Sequence, residues 1–244
     1  MKIFDKFEIV EPYPALYFQE EDVVIVSDLH LGLESLMASS GVYFPKFQLD
    51  EMKEEFENII EKVEPEKIVI NGDLKHEFSE TTWEEREEVQ DLLEFLTEKV
   101  EEVLILKGNH DNYLIYAVKD FDNVKLEEKV VLDNATFLHG DEEIDLKNLN
   151  TEYLIIGHEH PALALKDDLG IKEKVRCFLY GELVSKKIIV LPAMSKFAEG
   201  SQVNQIPKKR LLTPLLRETG VDHLKAIAVS EEAGIFEFPE VGKI

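Results

Sequence analysis

The chain has 244 residues, a formal net charge of −24 and a single cysteine, and it is long enough to bury a substantial core. An excess of acidic groups this large excludes a basic face gripping long nucleic acid through its phosphates, and the densest basic run, Lys208-Lys209-Arg210, reads as a solvated loop. One cysteine, Cys177 in an apolar run, permits no internal disulfide and points to the core and to a reducing cytoplasm; no signal peptide or membrane-length apolar segment is present, which excludes a membrane partner.

In chain order, residues 7–27 read as two or three short strands ending in Asp28-Leu29-His30. Leu49, Met52, Phe56, Ile59, Ile60 and Val63 recur at helical spacing, which predicts an amphipathic helix from near Pro45 to before Pro65. Ile68-Val69-Ile70 then runs through Asn71 and Gly72 into Asp73. Val89, Leu92, Leu93, Leu96 and Val100 predict a second helix, capped by Thr81 or Thr82. Val103-Leu104-Ile105-Leu106 delivers Lys107-Gly108-Asn109-His110-Asp111, completing a β-α-β-α-β order with parallel strands.

After Val124 the rhythm changes to short strands near 129–132, 135–139, 153–156, 162–166, 175–180, 186–191, 224–229 and 234–238. They predict a second, partly antiparallel sheet stacked on the first, with helices outside both, in one domain spanning 1–244. Two of these strands end in His139-Gly140 and Gly157-His158-Glu159-His160. Residues 193–223 carry few periodic apolar positions and read as a wrap, a lid or a partner surface.

Five polar clusters therefore stand where apolar, β-branched runs end. Continuous apolar runs of this length read as strands buried on both faces, and ligands bind beyond the carboxyl ends of such strands. Asp28, His30, Asp73, Asn109, His139, His158 and His160 offer carboxylate, amide and imidazole donors without a thiolate. That set suits Mn, Fe, Zn, Ni or Co better than a structural zinc site of the cysteine type. Seven donors exceed the need of one ion, so two divalent ions sharing a carboxylate is the economical arrangement.

The five clusters, in this order from residue 28 to residue 160, resemble the motifs of the calcineurin-like metallophosphoesterases. The resemblance implies an α/β, four-layer αββα sandwich of two mixed sheets flanked by helices. It also implies two divalent ions, manganese first among the candidates. Asp28, His30 and His160 would hold one ion, Asn109, His139 and His158 the other, and Asp73 would bridge them. His110 would be the catalytic histidine, Asp111 would orient it, and Glu159 would point away from the metals. Ser27-Asp28-Leu29-His30-Leu31-Gly32 and Gly72-Asp73-Leu74-Lys75-His76 are most similar to the SbcD-related branch, in its compact archaeal form. There His76 would approach the substrate phosphate, although a solvated loop residue is an even reading. Too little chain follows His160 for that branch's DNA-capping region.

The implied function is a phosphodiesterase on nucleic acid or nucleotides, with metal-activated hydroxide attacking phosphorus. Two alternatives stay open: a phosphomonoesterase or cyclic-nucleotide hydrolase on a small substrate, and a non-catalytic metal-binding scaffold for a protein partner, as in a retromer subunit of similar fold. A homo-oligomer is open as well. Abundant Glu and Lys with few Gln resemble thermophile composition.

Overall fold

The computed structural model describes residues 1–39, 41, 47–78, 82–166, 170, 172–198 and 200–244. The expected helix start near Pro45 and the alternative cap Thr81 lie outside them. Seven strands form the first sheet in chain order: β1 (Lys2–Ile3), β2 (Phe7–Ile9), β3 (Leu16–Phe18), β4 (Val23–Val26), β5 (Lys67–Asn71), β6 (Glu102–Leu106) and β7 (Val124–Glu127). β1 to β4 pair antiparallel, whereas β4 to β7 are parallel, as the β-α-β-α-β rhythm predicts. Between β4 and β5 come α1 (Leu33–Ser39) and α2 (Gln48–Val63); α3 (Trp83–Thr97) precedes β6, and α4 (Ile115–Val118) precedes β7.

The second sheet contains β8 (Lys129–Leu132), β9 (Ala135–Leu138), β10 (Tyr153–Ile156), β11 (Pro161–Lys166), β12 (Lys172–Leu183), β13 (Lys186–Val190), β14 (Ser201–Gln202), β15 (Lys225–Ser230) and β16 (Gly234–Glu240). β9, β10 and β13 are mutually parallel neighbours, and the remaining pairs but β11–β14 are antiparallel. The long β12 pairs with β11 through its first half and with β13 and β15 through its second.

Side-chain alternation shows how the apolar runs are used. Val24, Val26, Ile68, Ile70, Val103 and Ile105 face one core with Met52, Phe56, Ile59, Val89, Leu92 and Leu96 of α2 and α3. Their neighbours Val23, Ile25, Val69, Leu104 and Leu106 face Ala135, Phe137, Ile155, Phe178 and Ile189 of the second sheet. The other face of that sheet, with Leu154, Ile156, Ile188 and Val190, is covered by Leu215 and Leu216 of α5 (Pro214–Thr219). The architecture is the mixed α/β sandwich of the reading above, with a thin outer layer on the second sheet. Each such side chain, fully buried, contributes about 1.5–3 kcal/mol.

Thr82 caps α3 by accepting from the Glu85 N–H at 3.1 Å. The sequence reading passed over β7, where only Val124 and Leu126 of the four residues pack against the core. It also passed over the short α1, α4 and α5. Lys208–Arg210 is an exposed 3-10 turn, as a solvated run should be.

Candidate metal centre

All five polar clusters emerge from the ends of parallel strands: Asp28–His30 after β4, Asp73 after β5, Gly108–Asp111 after β6, His139 after β9 and His158–His160 after β10. The first two loops continue their strands' pairing, with Asp28 N–H donating to Gly72 O at 3.0 Å and His30 N–H to Asp73 O at 2.9 Å. A Cβ on Gly72 would overlap the His139 ring, and one on Gly157 would overlap Ser27 Oγ. The clusters can converge because glycine stands at these two contacts.

Convergence is close. Asp28, His30, Asp73 and His160 bring one donor atom each within 4.8 Å of one another, and Asp73, His139 and His158 do the same. Asp73 belongs to both groups. His160 Nε2 lies 2.9 Å from Asp28 Oδ1, His139 Nε2 lies 3.2 Å from Asp73 Oδ2, and the Nε2 atoms of His30 and His160 are 3.3 Å apart. Asn109 Oδ1 is buried and makes no hydrogen bond, and Asn109 lines the same cleft of about 760 Å³ as His139. A buried carbonyl oxygen without a donor is what an absent cation leaves behind.

The protonation states suit a cation as well. Burial opposes ionisation of Asp28, but His160, His139 and His30 hold its carboxyl below the usual carboxylate range. Burial likewise opposes ionisation of Asp73, and His139 outweighs it. Burial and the neighbouring His160 push His30 down to about 3, and burial with His139 pushes His158 down to about 4, so both rings are neutral donors. His139 resists burial because Asp73 and Asp28 raise it to about 10; its Nδ1–H donates to Asn71 O at 2.9 Å, which aims Nε2 at Asp73. An ion there would replace the Nε2 proton. The residues fit a divalent metal site, with Asp73 in both donor groups.

His110 stands beside this centre, its Nε2 3.9 Å from Asp73 Oδ2 and its backbone N–H donating to Asp73 Oδ1 at 3.0 Å. His76 is no solvated loop residue: its Nδ1 is 3.3 Å from His30 Nδ1, and with His30 and His110 it forms a third donor group, made of imidazoles alone.

Asp111 departs from expectation. Its carboxylate does not orient His110; it accepts backbone N–H groups from Asp73 at 2.8 Å, Gly108 at 2.9 Å and Lys75 at 3.3 Å. The group facing His110 Nδ1 is instead the His76 carbonyl. Adjacent residues in a turn project apart, so Asp111 points under the loops while His110 points over them. Burial and the charge of Asp73 push the Asp111 carboxyl up to about 7 against the pull of the Gly108 amide.

A family model described as calcineurin-like phosphoesterase matches residues 22–132, which hold three of the five clusters. Over that stretch the chain is similar to this family. The chain shares its fold with the Pseudomonas putida nuclease MPE at a TM-score of 0.64 and 16% identity, over 92% of each chain. The phosphoesterase Yfce from E. coli aligns at 0.43 and 18% identity, over 89% of this chain and 98% of that one. No curated protein matches the sequence. Among the described residues no helix is long and apolar enough to cross a membrane.

Several supports of the centre escaped the sequence reading. Gln48 Nε2 donates to Leu29 O at 3.1 Å, His30 O at 3.2 Å and Ser195 Oγ at 3.2 Å. Met194 N–H donates to Ser27 O at 2.8 Å and Ser195 N–H to Asp28 O at 3.2 Å, so part of the 193–223 stretch braces the first cluster. Glu85 Oε1 accepts from the N–H groups of His76 at 2.9 Å and Glu77 at 2.8 Å. Only Glu85 left a signal, the T-x-x-E spacing from Thr82 that marks a helix start. Glu159 turns away from the cluster, as expected, and accepts from Thr213 N–H at 2.9 Å.

Proposed function

We propose that this chain is a two-metal phosphodiesterase acting on nucleic acid or nucleotides. The observation that carries the reading is a shared carboxylate, Asp73, between two donor groups, with the imidazole of His110 3.9 Å away. Asp28, His30 and His160 hold one ion and Asn109, His139 and His158 the other, manganese being the first choice among Mn, Fe, Zn, Ni and Co. When bound, such a pair lowers the pKa of a coordinated water and neutralises charge on phosphoryl oxygens.

The chain's own groups supply orientation and a proton. His110 Nδ1–H donates to the His76 carbonyl, which fixes the ring and leaves Nε2 to carry the proton given to the leaving oxygen. His76, held by Glu85 through its backbone and placed beside His30 and His110, steadies the phosphate. Asp111 positions the loops rather than the acid. Likeness of fold to a nuclease accords with nucleic acid as substrate. The net charge of −24 favours short or single-stranded substrates, or a small monoester, over long duplexes.

Hydrolysis of a chromogenic phosphodiester beside its monoester, with manganese, tests the reading in wild type and His110→Ala. The diester should be cleaved faster, chelation should abolish turnover, and His110→Ala should lose about 10²–10⁴ in rate while keeping both metals. Faster monoester cleavage would favour the phosphomonoesterase. No turnover of either ester with two metals bound would favour the scaffold.

A further inference from the structure

One large aromatic side chain, Phe78, is exposed and yet seated against His110. Phe78 is 53% exposed, yet its ring centroid lies 3.6 Å from that of His110 with the planes tilted by 32°. Asn112 Nδ2 ties this segment to the His110 loop by donating to Phe78 O at 3.0 Å. The next residue, Tyr113, is 59% exposed and held at φ +64°, a conformation uncommon for a bulky side chain. Trp83, 73% exposed and the chain's only tryptophan, begins α3 two residues before the Glu85 that holds His76 and Glu77. Exposed apolar side chains scattered singly need no explanation, but one seated against a reactive imidazole does.

We infer that Phe78 is a stacking platform for an unpaired nucleobase, and that the substrate is therefore single-stranded nucleic acid or a frayed end. This inference rests on the phosphodiesterase reading and adds the substrate class. His110 gives its proton to the leaving oxygen, so the base that reaches Phe78 belongs to the leaving nucleoside. A base inside a duplex is already stacked and presents no free face there. Charge supports the same choice. A chain at −24 gains little from neutralising phosphates, whereas base–aromatic stacking needs no cation and is sequence-tolerant.

The test compares a short oligothymidylate with a strand of equal length carrying abasic residues, using the full chain. Affinity is read by anisotropy in EDTA, without turnover, and cleavage in manganese is read separately as the ratio of kcat/KM values. The base-bearing strand should bind roughly 5- to 150-fold more tightly, the worth of one stacked base. Phe78→Leu should bring the preference to within about twofold in binding and cleavage, and Phe78→Tyr should keep it. Equal binding of the two strands by wild type, a preference that survives Phe78→Leu, or no binding of either strand overturns the platform. Failure of the phosphodiesterase reading is distinct: it is loss of ester hydrolysis with base preference in binding intact.

Discussion

Replacing Asp111 by asparagine separates two roles that one carboxylate could play. In the structure Asp111 is buried, its Oδ2 accepts from the N–H groups of Asp73 and Gly108, and its Oδ1 accepts from Lys75 N–H. An asparagine of the same shape keeps its oxygen for the first two donors and turns an NH₂ group toward the third. One buried N–H is then unsatisfied, at about 1–3 kcal/mol, and two charge-assisted bonds become neutral ones. Removing a buried charge beside Asp73 offsets part of this. A net loss of about 1–3 kcal/mol corresponds to roughly 2–12 °C in Tm for a chain of this size. Differential scanning fluorimetry and elemental analysis on Asp111→Asn should therefore show a lower Tm and loss of metal, because the Asp73 loop hangs on this carboxylate. A variant with wild-type Tm and two metals, but turnover reduced about 100-fold, would refute the reasoning and return Asp111 to the role of orienting His110.

Gly157→Ala would drive a methyl group into Ser27 Oγ and to 2.9 Å from Asp28 Oδ2. Overpacking of this kind costs about 1–3 kcal/mol, and bound metal should fall below two ions per chain by elemental analysis. Glu159→Ala strips Thr213 N–H of its buried acceptor, so Tm should fall by an amount equivalent to about 1–3 kcal/mol, while Glu159→Gln should recover most of it. Cys177 is fully buried, and burial raises its thiol pKa. Iodoacetamide at pH 8 should therefore leave native protein unlabelled by mass spectrometry and label it in denaturant.

The centre was legible because its ligands stand where strands buried on both faces run out. Val23-Val24-Ile25-Val26 and Tyr153-Leu154-Ile155-Ile156 have no room for polar groups until Asp28 and His158. Supports made by backbone groups left no trace: the amides of Met194 and Ser195 that hold Ser27 and Asp28 would serve equally on other residues. Buried Gln48 passes for a solvated first-turn residue until its three acceptors are seen. β7 escaped because four residues at the end of the first sheet, of which only Val124 is buried, carry too little periodicity. The role that the resemblance implies for Asp111 does not show in the hydrogen bonds, because both of its oxygens are taken by the N–H groups of Asp73, Gly108 and Lys75.

Asp28, His30, Asp73, His158 and His160 all have positive φ, between 46° and 64°. A residue other than glycine held there carries strain of about 1–2 kcal/mol. Every one of these five is a donor in the groups that share Asp73. The centre is thus the place where the fold works against itself, and the rigid strands behind it supply the restoring force. Glycine at His158, whose ring accepts no backbone N–H among the described residues, should make the metal-free protein harder to unfold and poorer at binding metal, so selection for stability alone would erase that donor.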